Sequence, residues 1–181
     1  LGVLIQIAMV HWRMRSQPQA AEPYFDRVRR TDPTHAGMLS FFREHLLAKG
    51  DKARLYAILT DAQRALPDGQ DKRAIASELA KLAESTENAH KAIDQYKNIL
   101  RTDPDNRDAR DALKRLYMQT EGYNALVELY RQELERTPAT EPQARAQILR
   151  DIASIYRDRA KNDAALVTVL TQIVQIDERD I

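Results

Sequence analysis

The 181-residue chain contains no cysteine. No disulfide framework and no thiolate chemistry can be built from it, and this absence is compatible with cytosol and periplasm alike. Glycine is scarce, at five residues, and aromatics make up 6%. A protein of many hairpin strands needs more turn glycine than that. The abundant Ala, Leu, Arg, Glu, Lys and Gln are instead strong helix formers. Neither sign of charge dominates: 28 basic residues face 27 acidic ones, for a net charge of +1. Nucleic-acid binders carry a clear basic excess on one face, so no nucleic-acid partner is expected. Long apolar runs are missing too. The N-terminal LGVLIQIAMVHW is interrupted by Gln6 and is shorter than the roughly 20 apolar residues a membrane helix needs. It also lacks the basic leader of a signal peptide. No membrane span is expected in this segment.

Motifs for catalysis are equally scarce. The four histidines, His11, His35, His45 and His90, never stand three or four residues apart, the spacing at which one helix presents two ligands to a metal. There is no glycine-rich phosphate loop, no GxSxG and no HExxH. The carboxylates of stretches such as DPDNRDARD read as helix starts and solvated surface. Neither enzyme activity nor a cofactor is expected.

What the chain does have is an echo. The quartet RTDP occurs in VRRTDPTH (28–35) and in ILRTDPDN (99–106). Pro33, Pro67, Pro104 and Pro138 each follow an apolar helical segment, and the Ile-Asp-Glu at 176–178 stands where a fifth ending is due. The spacings are 34, 37, 34 and 40. Proline disfavours helix in the residue before it, so Asp32 and Asp103 should leave their helices, and Asp103 or Asp105 should cap the next one. Pro23 should delay or kink the helix it enters.

Ahead of these endings lie matching apolar stripes. One set reads Leu4, Ala8, His11, Trp12. The next read Met38, Phe42, His45, Leu46; then Ile75, Leu79, Leu82, Ala83. The last two are Ala109, Leu113, Leu116, Tyr117 and Ile148, Ile152, Ile155, Tyr156. Steps of four, three and one mark a single helical face. A second stripe twelve, eight and five residues before each ending gives Ala21, Phe25, Val28, and its counterparts down to Leu166, Leu170, Ile173. Glu133 is the outlier in that series. Leu79, Tyr96, Leu113, Leu116 and Tyr117 are expected in the core.

In repeat length and in the order of small, aromatic and apolar residues, the chain resembles the tetratricopeptide repeat family over essentially all of its length. The resemblance implies an all-α, right-handed α-solenoid of antiparallel helix pairs, with hairpins at about 2–33, 36–67, 71–104, 105–138 and 142–178; the start at Leu1 rather than Met and the stop just after a helix-like segment read as cuts from a longer chain. Bulky Arg43 and Lys114 fill a slot that the family keeps small. The connections DGQDK and ATEPQ exceed the family minimum. They read as a longer first turn on the next helix, or as recognition loops.

The resemblance also implies a role: a protein–protein interaction scaffold holding a peptide or helix in a concave groove lined by the first helices. Lys81, Arg115, Met118, Arg150 and Arg157 occupy groove positions, with Arg150 and Arg157 two turns apart on one face, and suit an acidic partner. Asp108 and Asp111 are rivals for these cations. Some family members grip a chaperone's terminal carboxylate with asparagine at the ninth repeat position. Here that position holds Val10, Glu44, Lys81, Arg115 and Ser154, so that activity is not implied. Neither end resembles a polar cap, which points to self-association or to packing on a neighbouring hairpin. Two other functions fit a helical-hairpin array: RNA binding, which the mixed charge of the groove disfavours, and regulation within a larger enzyme.

Overall fold

A computed structural model describes residues 1–177. The ending expected at Glu178 lies outside the described residues. Every regular element among the described residues is helical, as the composition requires. The chain divides into two compact units, Leu1–Pro104 and Asp105–Ile181.

The first unit holds three antiparallel helix pairs. α1 (Gly2–Met9) runs into a π-helical turn (Val10–Met14) and is followed by α2 (Pro18–Thr31); α3 (Ala36–Lys49) pairs with α4 (Lys52–Ala65), and α5 (Gln70–Ser85) with α6 (Ala89–Thr102). The second unit holds two pairs. α7 (Arg107–Gln119) precedes α8 (Tyr123–Arg136); α9 (Pro142–Ile155) runs into a π-helical turn (Tyr156–Ala160) before α10 (Asp163–Asp177).

The repeated phrase is a stop-and-start device. Asp32 and Asp103 both leave the helix, with φ, ψ of −139°, 90° and −139°, 81°. Each still donates its backbone N–H to the carbonyl four residues back, at 2.8 Å. The cap, however, is not supplied by Asp103 or Asp105. α7 begins at Arg107, so the residue beside its first turn is Asn106, whose Oδ1 accepts the Ala109 N–H at 2.9 Å. In the first unit His35 does the same through Nδ1 for Met38, at 3.2 Å. Asp32 instead accepts the N–H and hydroxyl of Thr34, at 3.0 and 2.7 Å.

Inside every hairpin the turn places one residue in the left-handed region: Ser16, Gly50, Glu87, Glu121 and Lys161, at φ from 47° to 73°. Their spacings are 34, 37, 34 and 40, the same series as the helix endings. The two long connections become helix only in part: residues 70–72 of DGQDK join α5, which runs for 16 residues against 14 for α3, whereas of ATEPQ only Pro142 and Gln143 enter α9, which keeps 14. Pro23 neither delays nor ends its helix. α2 starts at Pro18, whose fixed φ suits a first helical position, and continues through Pro23 to Thr31.

The first unit's core is aromatic. Phe41 stacks on Phe25 at 4.5 Å, meets Trp12 and Phe42 edge-on at 5.4 and 5.1 Å, and stacks on His45 at 5.0 Å. The second unit's core is aliphatic, built from Leu126, Val127, Leu149, Ile152, Ile155, Val169 and Ile173 with Tyr156. Leu79, Tyr96, Leu113 and Leu116 are buried. Tyr117 is only half-buried, packed against the second unit's core.

Candidate functional site

The bulky cations in the small slot turn outward into ion pairs. Arg43 on α3 grips Glu78 of α5 with Nε and Nη2, at 2.9 and 2.8 Å. Lys114 on α7 meets Glu133 of α8 at 2.6 Å and lies over the Tyr130 ring at 4.3 Å. Glu133, the outlier of the stripe, is thus the counter-ion of Lys114. Burial, with the carboxylates of Asp151, Glu133 and Asp111, pushes the Tyr130 phenol above its usual range.

A denser cluster ties α2, α3 and α4 together. Glu22 accepts from His45 Nε2 at 2.8 Å, from Lys49 Nζ at 3.0 Å and from Arg54, which also reaches Asp26 at 2.9 Å. Burial of the carboxylate opposes its ionisation. The hydrogen bonds from Arg54, Lys49 and His45 more than offset that cost, and hold Glu22 at about 2 against an ordinary 4.5. His45 lies inside, as its repeat position predicts, but its partner was not apparent from the sequence. A signal was present: Glu22 and Asp26 lie one helical turn apart on α2, as do His45 and Lys49 on α3. Nothing in the repeat pattern pairs those two faces. His11, the other inward histidine, stacks on Tyr24 at 5.8 Å.

The expected groove residues fall in different units. Lys81 is exposed on α5 of the first. Arg115 and Met118 are exposed one turn apart on α7 of the second, with Arg150 on α9 and Arg157 in the π turn after it. Arg157 thus lies just beyond the α-helix that carries Arg150, in the π turn that follows Ile155. Arg157 is held by its own neighbour: Nε and Nη2 donate to Asp158 at 2.8 and 2.9 Å. The pairing lowers the acidity of the guanidinium and raises that of the carboxyl. In the first unit Glu44, assigned to the groove by repeat position alone, accepts from Trp12 Nε1 at 3.2 Å and from Arg13 at 3.3 Å, and Glu84 accepts from the Tyr96 hydroxyl at 2.5 Å.

Among the described residues no group of three or more His, Asp or Glu side chains could hold a metal ion, and no helix is long and apolar enough to cross a membrane.

No protein-family model and no curated protein matches the sequence. Solved structures do match its fold. The chain is similar to a chain of the Naa15/Naa10 complex bound to HypK-THB, with 19% identity and a TM-score of 0.58 over 96% of its length, and it spans 25% of that chain. It is similar to a putative kinesin light chain of Podosopora anserina with nearly identical TPR-like repeats, at 16% identity and a TM-score of 0.50, covering 99% of this chain and 96% of that one. A third similarity is to MamA, at 15% identity and a TM-score of 0.50, covering 99% and 94%. The fold is therefore all-α and tetratricopeptide-like.

Proposed function

We propose that the chain is an interaction scaffold without catalytic activity of its own, and that its first-helix faces take a peptide or helix from a protein partner. The observation that carries this reading is the two-faced build of those helices in the second unit. α7 buries Ala109, Leu113 and Leu116 and leaves Arg115 and Met118 exposed; α9 buries Ile148, Ile152 and Ile155 and leaves Arg150 exposed, with Arg157 exposed just beyond it. Met118, 41% exposed, is an adaptable apolar contact, and guanidinium groups take carboxylates through paired hydrogen bonds. An acidic segment suits this surface, with a ligand carboxylate replacing Asp158 on Arg157. Lys81 occupies the matching repeat position in the first unit.

A second contact surface lies on α10, where Val167, Leu170 and Val174 are 62%, 46% and 53% exposed. Earlier hairpins fill the slot of Leu170 with buried Phe25, Leu59 and Tyr96. α1 similarly exposes Val3, and Val10 and Met14 follow in its π turn. We assign these apolar faces to self-association. A strictly monomeric chain in sedimentation at high concentration rejects that assignment.

The groove is tested on a partner isolated with the chain as bait. Reversing Arg150 and Arg157 to Glu should weaken its binding about tenfold and leave the melting temperature nearly unchanged. Equal affinity removes this site.

A further inference from the structure

The insertion DGQDK, residues 68–72, makes more than an extra turn. Between the C-terminal ends of α4 and α6 and the lengthened start of α5 it opens a cavity of about 820 Å³. Buried Ala76 lies in its wall. Around it stand Arg64 from α4, Lys72 and Arg73 from α5 and Arg101 from α6, against one lining carboxylate, Asp68.

Four arginines elsewhere in the unit are held by acids. Arg13, Arg29, Arg43 and Arg54 each meet a carboxylate. The side chains of Arg64, Arg73 and Arg101, like those of Arg15, Arg27 and Arg30, form no hydrogen bond, ion pair or ring contact among the described residues; what sets these three apart is that they line one cavity. Lys72 has Asp68 at 3.0 Å, but that carboxylate is 90% exposed, and an exposed pair of this kind is weak. The second unit supplies an internal control. Its own long connection borders a cavity lined by Leu134, Pro142, Arg145 and Leu149. There Arg145 donates to the backbone carbonyls of Leu134 and Thr137, at 2.9 and 2.7 Å. The two long connections therefore differ: one borders a tethered cation, the other several cations whose side chains are unpartnered.

We propose that the cavity between α4, α5 and α6 is a binding site for an acidic segment of a protein partner, separate from the first-helix groove. Three guanidinium groups around one space match several carboxylates rather than one, since each can accept a carboxylate in a planar, two-bond geometry. The cavity has room for more than a single small anion. Gly69 offers no side chain to the first turn of α5, so the backbone N–H groups there add a further attraction for negative charge. Asp68 is the built-in competitor, holding Lys72 until a ligand arrives.

The test uses the whole chain and a fluorescein-labelled peptide composed only of Asp and Glu, followed by anisotropy at near-physiological salt. Saturable binding is expected, weakened at least about tenfold in the double variant Arg73→Glu, Arg101→Glu. Asp68→Asn should tighten it by about twofold, the scale of an exposed ion pair. Arg150→Glu with Arg157→Glu should leave it unchanged, which separates this site from the groove. Arg73→Gln and Arg101→Gln singly serve as milder checks, with melting temperatures confirming the fold. No saturable binding overturns the proposal. So does equal affinity of the double variant, or a single-stranded RNA of equal length that binds more tightly through the same residues.

Discussion

The two units solve one packing problem with different side chains. In the first, Phe41 sits among Trp12, Phe25, Phe42 and His45, and the helices are further joined by Glu22, Arg54, Arg43 and Glu78. In the second, branched aliphatics fill the core; apolar residues are left uncovered in both, on α1 and its π turn and on α10. Repeat length thus fixes helix pairing in both, while the side chains that fill the core differ. A large ring shared by several helices concentrates stabilisation at one point; aliphatic packing spreads it.

The sharpest way to break this comparison is to remove one core residue from each unit. Phe41→Ala should cost about 3–5 kcal/mol and Leu113→Ala about 2–5 kcal/mol, because both lose transfer energy and leave a cavity. Phe41 should sit at the upper end, since its ring contacts have no substitute. Trp12, the chain's one tryptophan, reports the first unit in a urea titration. A Phe41→Ala loss smaller than that of Leu113→Ala would show that the aromatic cluster is not the main support. A loss below about 0.5 kcal/mol at Leu113, far under the buried-leucine range, would contradict its place in the core.

The charged cluster gives a smaller effect with a definite pH dependence. Glu22 titrates at about 2 in the folded chain against 4.5 ordinarily, so between those values the unfolded chain holds more protons. Its contribution is complete above about pH 4.5 and is lost as pH falls toward 2. Glu22→Gln should therefore cost about 1–3 kcal/mol at neutral pH, a range that allows for the partial exposure of Arg54 and Lys49. Near pH 2 the variant and the parent should be equally stable. A gap that persists unchanged at low pH would assign the loss to packing instead of charge.

The helix pairs and their core stripes were legible because they recur: five copies of one spacing carry a signal that no single stripe has. What hid was whatever the repeat does not dictate. Asn106, not Asp103 or Asp105, caps α7 because helix start is set to within a residue by backbone geometry, and three polar residues compete there. The Glu22 cluster was hidden because its members come from three helices. The groove residues were assigned by repeat position alone, and repeat position does not show that Arg157 turns to Asp158. The basic cavity was hidden because its arginines come from three helices and the connection beside it reads first as an extended helix start.

The smallest effect bears on the turns, which both units share. Gly50 marks the left-handed position that every hairpin uses, and Ser16, Glu87, Glu121 and Lys161 occupy it without being glycine. Holding an L-residue there costs about 1–2 kcal/mol, whereas glycine costs about 0.5–1 kcal/mol in extra unfolded-state freedom. The strain outweighs that freedom, so Glu87→Gly in the first unit and Glu121→Gly in the second should each gain about 0.5 kcal/mol. Gly50→Ala, with φ of 73°, should lose about 1 kcal/mol. Nothing lies within 4 Å of a Cβ built at Gly50, so any loss there comes from the backbone and not from a clash. If the two glutamate variants shift thermal midpoints upward equally, the turns are interchangeable between units. A loss on Glu121→Gly would mean that its side chain supports the turn beyond its backbone angle, and the equivalence of the turns would fail there first.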